Sequence, residues 1–396
     1  MHLTREEERM LAGEESAGAA KLLELLVALG EVFGAETLVP VESAHISGVS
    51  YKNLGEAGLE WLQEQAEMGA RARIRATLNP AGMDMDEWEG MGVPREFAEG
   101  QRRVIATFEE MGVEPTCTCT PYLIGHVPSF GSQVAWAESS AVCYVNSVIG
   151  ARTNRESGPT TIASAVTGRA ALYGYRLDEN RRPGAVVEVE AELNTTLEYS
   201  ALGYLTGKKL GTAVPYFTGL GRPSLESMKA LGAACGTSGG IALWHGEGVT
   251  PEAEAMREHI GGLEALIVEE KDIEEEKARL TAPLEDPLIV LGCPHSSLME
   301  LREVAELVRG RDMEGRLWVF TSRGVHARAQ EAGYVEAIEA AGGKVYRDTC
   351  MVVAPVKEMG WREVATNSFK AGHYMTNMGL KTRMGTIREL LSEGAR

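Results

Sequence analysis

Three cysteines lie at positions where a folded chain places reactive side chains. Cys293 directly follows the segment PLIVLG, and Cys350 directly follows KVYRDT. Both segments are predicted strands, and the carboxyl ends of parallel strands form one edge where ligands bind. Cys119 lies in the segment TCTPY, among turn-forming residues that are atypical of a core. These three thiols are therefore candidates for one shared metal site.

Any free cysteine has an alternative interpretation as a small buried apolar residue. Cys143 and Cys235 have small or apolar neighbours and are interpreted in that way, whereas Cys117 stays undecided. Three thiolates from distant segments could hold zinc or an iron–sulfur cluster. Structural zinc sites usually contain close pairs such as C-x2-C, which this sequence lacks. An iron–sulfur cluster held by three thiolates leaves one iron open, which then acts as a Lewis acid.

The segments that carry these cysteines predict an α/β fold. We expect a β-α-β-α-β pattern with strands at 287–292, 316–322 and 344–349 and helices at 296–310 and 324–342. Such a pattern requires parallel strands and right-handed crossovers. We divide the chain into an N-terminal α/β region, residues 1–280, and a C-terminal βαβαβ unit, residues 281–396. In the first of these, the polar and glycine-rich stretch 112–183 is expected to form site loops.

The composition excludes several classes of protein. The 396 residues include 39 Lys and Arg against 57 Asp and Glu, a net charge of −18. A chain this acidic is not suited to bind nucleic acid or an anionic membrane. No apolar run approaches the roughly 18–20 residues of a membrane span, and the N-terminus MHLTREEERM is unlike a signal peptide. Six cysteines are too few for a secreted disulfide framework, so we expect a reducing, cytoplasmic compartment.

Six segments, in chain order, resemble the large subunit of the aconitase X family: TCTPYLIGHVP, AWAESSAV, NSVIGARTNRESGP, LGCPHSSLME, DTC and NSFKAGHY. The resemblance extends from about residue 40 to about residue 380. It implies an aconitase-like fold of parallel-sheet α/β domains around an iron–sulfur site, without the swivelling domain of fused members. It also implies that Cys119, Cys293 and Cys350 ligate the cluster, expected to be 4Fe-4S, and it assigns no role to Cys117.

The resemblance further implies a hydro-lyase. Within the family the chain is most similar to the archaeal type, which dehydrates (R)-mevalonate 5-phosphate to trans-anhydromevalonate 5-phosphate for isoprenoid synthesis. The alternative is the bacterial type, which acts on cis-3-hydroxy-L-proline and more often has alanine where this chain has Thr120. A separate small swivelling-domain subunit would supply a catalytic serine as the base. A zinc-dependent or metal-free protein that binds a small molecule stays open as a second class.

A small anionic hydroxy acid needs cationic anchors, and bidentate arginine suits both carboxylate and phosphate. The segment GARTNRE offers Arg152, Asn154 and Arg155 as substrate-binding donors. Glu156 beside them is a candidate to orient an arginine or handle a proton. The alternative for this segment is a surface ion-pair cluster.

The remaining candidates are single side chains. His45 is a catalytic candidate in the segment SAHISG, where Ser43 and Ser47 could contact the substrate. His295 is a candidate to stabilise the leaving hydroxide, and Lys370 to bind the carboxylate or phosphate. A structural histidine and a solvated lysine are the alternatives. Two lesser substrate-binding candidates are Tyr122 and Asn146.

Overall fold

The computed structural model describes residues 1–394, which form three α/β units in chain order. The helices of the first unit are α1 (Arg5–Leu11), α2 (Ala17–Val32), α3 (Tyr51–Glu67), α4 (Arg95–Glu110), α5 (Ser139–Tyr144) and α6 (Gly158–Thr167). Its strands are β1 (Leu38–Pro40), β2 (Ser43–Ile46), β3 (Arg75–Leu78), β4 (Ala135–Trp136) and β5 (Arg169–Ala171). Strands β3, β2 and β4 form a parallel sheet in that order, and β1 pairs with β5 in antiparallel fashion.

The middle unit alternates strands with helices and forms a parallel four-stranded sheet in the order β8-β7-β6-β9. Its strands are β6 (Ala185–Val189), β7 (Pro215–Thr218), β8 (His245–Gly246) and β9 (Ala265–Val268). Its helices are α7 (Thr196–Leu210), α8 (Leu225–Ser238), α9 (Ala253–Met256) and α10 (Glu270–Arg279). The N-terminal region defined from sequence, residues 1–280, thus contains the first and the middle unit.

The last unit is a parallel five-stranded sheet in the order β12-β11-β10-β13-β14. Its strands are β10 (Leu288–Leu291), β11 (Leu317–Thr321), β12 (Lys344–Arg347), β13 (Glu363–Thr366) and β14 (Lys381–Met384). Its helices are α11 (Leu298–Leu307), α12 (Arg323–Glu331), α13 (Tyr334–Ala340), α14 (Phe369–Asn377) and α15 (Ile387–Gly394). Strand order reverses between β10 and β13, where open α/β sheets form a ligand-binding crevice. Residues 395–396 of the predicted C-terminal unit lie outside the described residues.

The predicted α/β class with parallel sheets is confirmed, with one local correction. The single helix expected over 324–342 is two helices, α12 and α13. Gly333 separates them because its backbone adopts a left-handed conformation with φ of 75°. Apolar spacing continues across the break, so the pattern alone concealed it.

Local sequence explains how the last sheet presents Cys293. Gly292 ends β10 with φ of 94°, and a Cβ there would lie 2.0 Å from the carbonyl oxygen of Phe320. Only glycine permits this close turn. Ser297 then begins α11 with a capping box, in which its hydroxyl accepts from the N–H of Glu300. The short turn between β10 and α11 therefore holds Cys293 at the carboxyl edge of the sheet.

Apolar packing joins the first and last units next to this turn. Met83 and Val93 from the first unit share one buried cluster with Val290 and Phe320 of the last sheet. The same cluster contains Cys293 and, from the loop after β12, Cys350. Burial of this surface stabilises the relative position of the two units. Within residues 1–394, no helix is long and apolar enough to cross a membrane.

The middle unit is attached to the first through a buried ion pair. Arg181 is fully buried, and its Nε lies 3.0 Å from both carboxylate oxygens of Glu252. The same guanidinium donates to the carbonyl oxygens of Asn146 at 3.0 Å and Tyr175 at 3.1 Å. Every contact satisfies a donor that would otherwise be buried without a partner.

Substitution of Glu252 by glutamine is expected to destabilise the protein strongly. It leaves the buried guanidinium of Arg181 without a counter-charge, which typically costs about 3–5 kcal/mol. The matched control is Glu306→Gln, which removes one partner of the exposed α11 pair with Arg302 and should have no measurable effect. Urea unfolding of both variants measures the difference, and equal midpoints would contradict this account.

Candidate functional site

Three thiols from distant parts of the chain meet in the crevice outside the last sheet. Cys293 follows β10 and Cys350 follows β12, and their side chains hydrogen-bond to each other. Cys119, from the loop before residues Pro121–Ile124, accepts a hydrogen bond from the backbone N–H of His295 at 3.2 Å. All three thiols are buried. The structure therefore brings together the three predicted metal ligands.

The ring of His295 connects the loops that carry these thiols. Its Nε2 lies 2.8 Å from the carbonyl oxygen of Thr349, which only accepts, so Nε2 carries the hydrogen. Its Nδ1 then accepts from the hydroxyl of Thr118 at 3.0 Å. Thr118 directly precedes Cys119, and Thr349 directly precedes Cys350. Both ring nitrogens of His295 have hydrogen-bond partners, so this geometry supports a positioning role. Neither nitrogen is free for the predicted catalytic role.

Burial and hydrogen bonding set the pKa values of the three thiols apart. Burial raises the pKa of Cys119 to about 12. The hydrogen bond to Cys350, together with burial, raises the pKa of Cys293 well above its usual value. The same hydrogen bond lowers the pKa of Cys350 to about 7 against the effect of burial, with help from the backbone N–H groups of Val352 and Val353. Cys350 is therefore the thiol that most readily becomes a thiolate.

A buried ion pair lies beside the thiols. Lys370, in α14, donates from Nζ to the carboxylate of Glu138 and, at 3.3 Å, to Ser140 Oγ. Burial lowers the pKa of Lys370, but the charges of Glu138, Cys293 and Cys119 outweigh burial and raise it. Burial also opposes ionisation of Glu138, yet Lys370 holds the pKa of this carboxyl below its usual value. Both groups are thus charged at neutral pH.

His45 belongs to a chain of buried polar groups in the first sheet. Its Nδ1 lies 2.8 Å from Thr77 Oγ1, which lies 2.9 Å from Nδ1 of His126. Burial lowers the pKa of His45 to about 4 and that of His126 to about 3, so both rings are neutral at pH 7. Glu138 and the Thr118 backbone act in the opposite direction on the pKa of His45. The ring of His45 therefore borders the segments that flank the thiol site.

Three further substrate-binding candidates, Ser43, Ser47 and Tyr122, differ in the contacts that they make. Ser43 Oγ accepts a hydrogen bond from Trp136 Nε1 at 3.4 Å. Ser47 is half-buried, and its carbonyl oxygen would lie 2.9 Å from a Cβ placed on Gly158, at the start of α6. Tyr122 stacks on the ring of Tyr144 at 3.7 Å, and its hydroxyl is buried without a partner among residues 1–394.

In the segment GARTNRE, two of the predicted donors hold neighbouring loops. Arg152 pairs with Asp178. Asn154 donates to the carbonyl of Tyr173 at 3.0 Å and accepts from the N–H of Tyr175 at 2.8 Å. These contacts fix the loop but occupy both side chains. Their predicted substrate-binding roles remain predictions.

The other polar residues of this region differ in whether their side chains keep hydrogen-bonding groups free for a ligand. Glu156 is held by Arg176 at 2.9 Å, and Asn146 exchanges hydrogen bonds with the backbone of Thr153 at 2.9 and 3.0 Å. Arg155 is exposed and donates to the carbonyl oxygen of Gly240 at 3.0 Å. Across residues 1–394, no carboxylate forms an ion pair with Arg155. Of the four polar candidates in GARTNRE, Arg155 is the one with donors to offer an anion.

Sequence reasoning missed the partners that complete this site. Glu138 caps α5 by accepting from the N–H of Ala141 at 2.9 Å, and its carboxylate also pairs with Lys370. Its φ of 75° is unusual for a residue other than glycine and has no signature in the sequence. His126 lies in the same TCTPYLIGHVP segment as Cys119, which was the available signal.

The pattern of donors and unpaired atoms fits a bound inorganic group. Within the described part of the chain, no three His, Cys, Asp or Glu side chains surround a point as the ligands of one metal ion do. Buried polar atoms without a partner there include Tyr122 Oη, Thr349 Oγ1, Asp348 Oδ1 and His45 Nε2. An unpaired buried polar atom is costly and calls for an explanation such as a bound group. Two of these atoms belong to Asp348 and Thr349, which directly precede Cys350. Three thiols match the donor set of an iron–sulfur cluster.

Comparison with known proteins identifies the class. Family models for the first, second and third domains of aconitase X match residues 1–179, 183–278 and 287–396. The chain belongs to the aconitase X family, which confirms the resemblance found in its sequence motifs. The crystal structure of Thermococcus kodakaraensis aconitase X in its holo-form has a TM-score of 0.93 and 44% identity, with 99% of this chain and 100% of that chain covered.

The similar curated proteins narrow the class further. The phosphomevalonate dehydratase large subunit of Methanothermobacter thermautotrophicus is 50% identical over 96% of this chain and 94% of its own length. The protein of that name from Thermococcus kodakarensis is 45% identical over 99% of this chain and 100% of its own length. The cis-3-hydroxy-L-proline dehydratase of Pseudomonas aeruginosa is 35% identical, and the match covers 93% of this chain but 65% of that protein.

We expect the stability of the protein to fall between pH 6.5 and pH 5. In this interval the unfolded chain binds protons at His45 and His126, whose ordinary pKa is 6.5, while the folded chain does not, because burial holds their pKa at about 4 and about 3. The stabilisation is complete above pH 6.5 and is lost as pH falls toward the folded pKa. Each ring should contribute a loss of about 1.5 kcal/mol by pH 5. Urea unfolding over this range measures the slope.

The substitution His126→Gln tests the origin of this slope. It should reduce the pH dependence by about one proton between pH 6.5 and 5. The matched control is His2→Gln at an exposed histidine, which should leave the slope unchanged. Identical slopes for His126→Gln and the unaltered protein would show that His126 titrates normally in the fold.

Proposed function

We propose that this chain is the large subunit of a hydro-lyase that removes water from (R)-mevalonate 5-phosphate to give trans-anhydromevalonate 5-phosphate. The main support is the difference in sequence identity between this chain and two groups of relatives. Relatives named phosphomevalonate dehydratase large subunit are 36–50% identical over at least 96% of this chain. Relatives named cis-3-hydroxy-L-proline dehydratase are 33–35% identical. The reaction would belong to isoprenoid synthesis.

An iron–sulfur cluster, expected to be 4Fe-4S, would be held by Cys119, Cys293 and Cys350. When bound, such a cluster supplies a Lewis acid at the iron that lacks a protein thiolate. Support comes from the three buried thiols and from the unpaired polar atoms of Asp348 and Thr349, which directly precede Cys350. The ammonium of Lys370 offsets thiolate charge at this site, which favours the metal-binding form of the cysteines.

The chain's own side chains would bind and orient an anionic substrate against the net charge of −18. The exposed guanidinium of Arg155, which donates to the carbonyl oxygen of Gly240, would bind a carboxylate or phosphate with its remaining donors. Lys370 keeps one N–H beyond its bonds to Glu138 and Ser140 for an acceptor in the site. His45, neutral at pH 7, would contact the substrate through its unpaired Nε2.

The base that takes the proton would come from another polypeptide. The term "large subunit" in the names of the relatives supports the presence of a partner subunit. We propose that this partner is a small swivelling-domain subunit, which forms a heterodimer with this chain and supplies a catalytic serine. Six free thiols are in keeping with a reducing compartment, so a cytoplasmic location is part of the proposal.

The cluster is tested by comparing Cys293→Ala with Cys143→Ala. Protein reconstituted anaerobically with iron and sulfide should be brown, and Cys293→Ala should lose most of its iron and sulfide because one thiolate is missing. Cys143 is equally buried but packs in the core of the middle unit, so Cys143→Ala should retain the cluster. Metal and sulfide analysis of both variants gives the result. Stoichiometric zinc without sulfide in the unaltered protein would exclude the cluster.

The substrate is tested with the reconstituted large subunit and its small subunit. Mevalonate 5-phosphate should be dehydrated, and cis-3-hydroxy-L-proline should not. The large subunit alone should be inactive because it lacks the proposed base. Dehydration of cis-3-hydroxy-L-proline in preference to the phosphorylated acid would overturn the assignment.

Arg155→Ala is the matching test of substrate binding. Loss of a charge-assisted contact worth about 1.5–3 kcal/mol should raise KM by roughly 10- to 100-fold. Arg103→Ala, at an exposed arginine paired with Glu56 on the first unit, is the control and should leave KM unchanged. Equal KM values for both variants would remove Arg155 from the binding site.

A further inference from the structure

Parallel pairing in the first sheet aligns three side chains in one row. His45 in β2 is in register with Thr77 in β3 and with Trp136 in β4. His126 approaches from the loop after residues Pro121–Ile124, and its backbone N–H donates to the carbonyl of Pro121 at 3.1 Å. Trp136 packs against both imidazoles, with ring centroids 5.6 Å from His45 and 5.0 Å from His126. The two rings are therefore fixed on either side of Thr77.

The Thr77 hydroxyl restricts the protonation of both rings. A hydroxyl has one hydrogen, and Thr77 Oγ1 lies within hydrogen-bond distance of two Nδ1 atoms, 2.8 Å from His45 and 2.9 Å from His126. Within residues 1–394 the hydroxyl has no other hydrogen-bond partner than these two nitrogens, so its single hydrogen goes to one Nδ1 and it accepts from the other. A neutral imidazole carries a hydrogen on only one nitrogen. If His45 carries its hydrogen on Nδ1, His126 must carry its own on Nε2, and the reverse holds equally.

We propose that His126, acting through Thr77, fixes the tautomer of His45 and so decides whether His45 presents a donor or an acceptor at Nε2. The inference rests on the proposed function only in that His45 faces a substrate. His126 and Thr77 are positioning residues, since they act through His45. The Nε2 atoms of His45 and His126 are both buried without a hydrogen-bond partner among residues 1–394.

This coupling of tautomers requires both imidazole rings to be neutral, and their burial keeps them so. The groups that act on the pKa of His126 besides burial are His45 and Arg75, both of which lower it. The groups that raise the pKa of His45 are Glu138, Asn79 and the Thr118 backbone, and burial outweighs them. Neither imidazole is protonated at pH 7, so the hydroxyl couples two tautomers rather than two charges.

The tautomers are measured directly by nuclear magnetic resonance on the full chain labelled with 15N-histidine. Long-range 1H–15N correlation at pH 7.5 reports which nitrogen of each ring carries hydrogen, and the variants His45→Gln and His126→Gln assign the signals. We expect opposite tautomers for His45 and His126. The same tautomer in both rings would overturn the proposal.

Thr77 provides the matched pair of variants. Thr77→Val removes the hydroxyl at nearly constant shape and should change the ring signals of both histidines toward a mixture of tautomers. Thr77→Ser keeps the hydroxyl and should preserve them. If the ring signals of His45 are the same in Thr77→Val as in the unaltered protein, Thr77 does not set its tautomer.

Kinetics of the two-subunit enzyme separate positioning from folding. Thr77→Val should lower kcat/KM about tenfold or more, since a misplaced hydrogen at His45 weakens its proposed contact with the substrate. The double variant Thr77→Val with His45→Gln should be no slower than His45→Gln alone. Additive losses would indicate a merely structural role. The resonance measurement needs no substrate, so it stands even if the enzyme proves to use another hydroxy acid.

Discussion

The imidazole of His295 holds together three loops that are far apart in sequence. Its Nε2 donates to Thr349 and its Nδ1 accepts from Thr118, while its backbone N–H donates to Cys119. Each of these groups lies within one or two residues of a thiol in the site. Burial lowers the pKa of His295 to about 4, so the ring keeps the single hydrogen that this arrangement requires. Any group bound by the three thiols depends on this alignment.

Charge balance is the second constraint on the site. A chain with a net charge of −18 must concentrate positive charge locally wherever it holds negatively charged groups. Lys370 does so from a buried position, and Glu138 keeps its ammonium oriented and charged. Lys370 can be buried in its charged form because Glu138 supplies a counter-charge. An unpaired ammonium in this interior would lose its proton.

Strand ends were predictable, because a strand followed by a glycine or polar turn is a local pattern. The sequence therefore located Cys293 and Cys350 at one sheet edge, and the α/β class followed from the same alternation. The partners of polar side chains were not predictable, because they depend on contacts between units. GARTNRE indicated free donors, yet Arg152 is taken by Asp178, a residue from a later turn. The break of helix 324–342 at Gly333 was equally hidden by continuous apolar spacing.

The last and the first unit obey the same geometric rule at different sheets. In the last unit, parallel β10, β11 and β12 place two loop thiols at a common edge. In the first unit, parallel β3, β2 and β4 place Thr77, His45 and Trp136 in one row. Parallel register fixes residues to within one position along a strand, because a one-residue slip would turn each side chain to the opposite face. Strand pairing therefore fixes the positions of these side chains and of the loops that follow the strands.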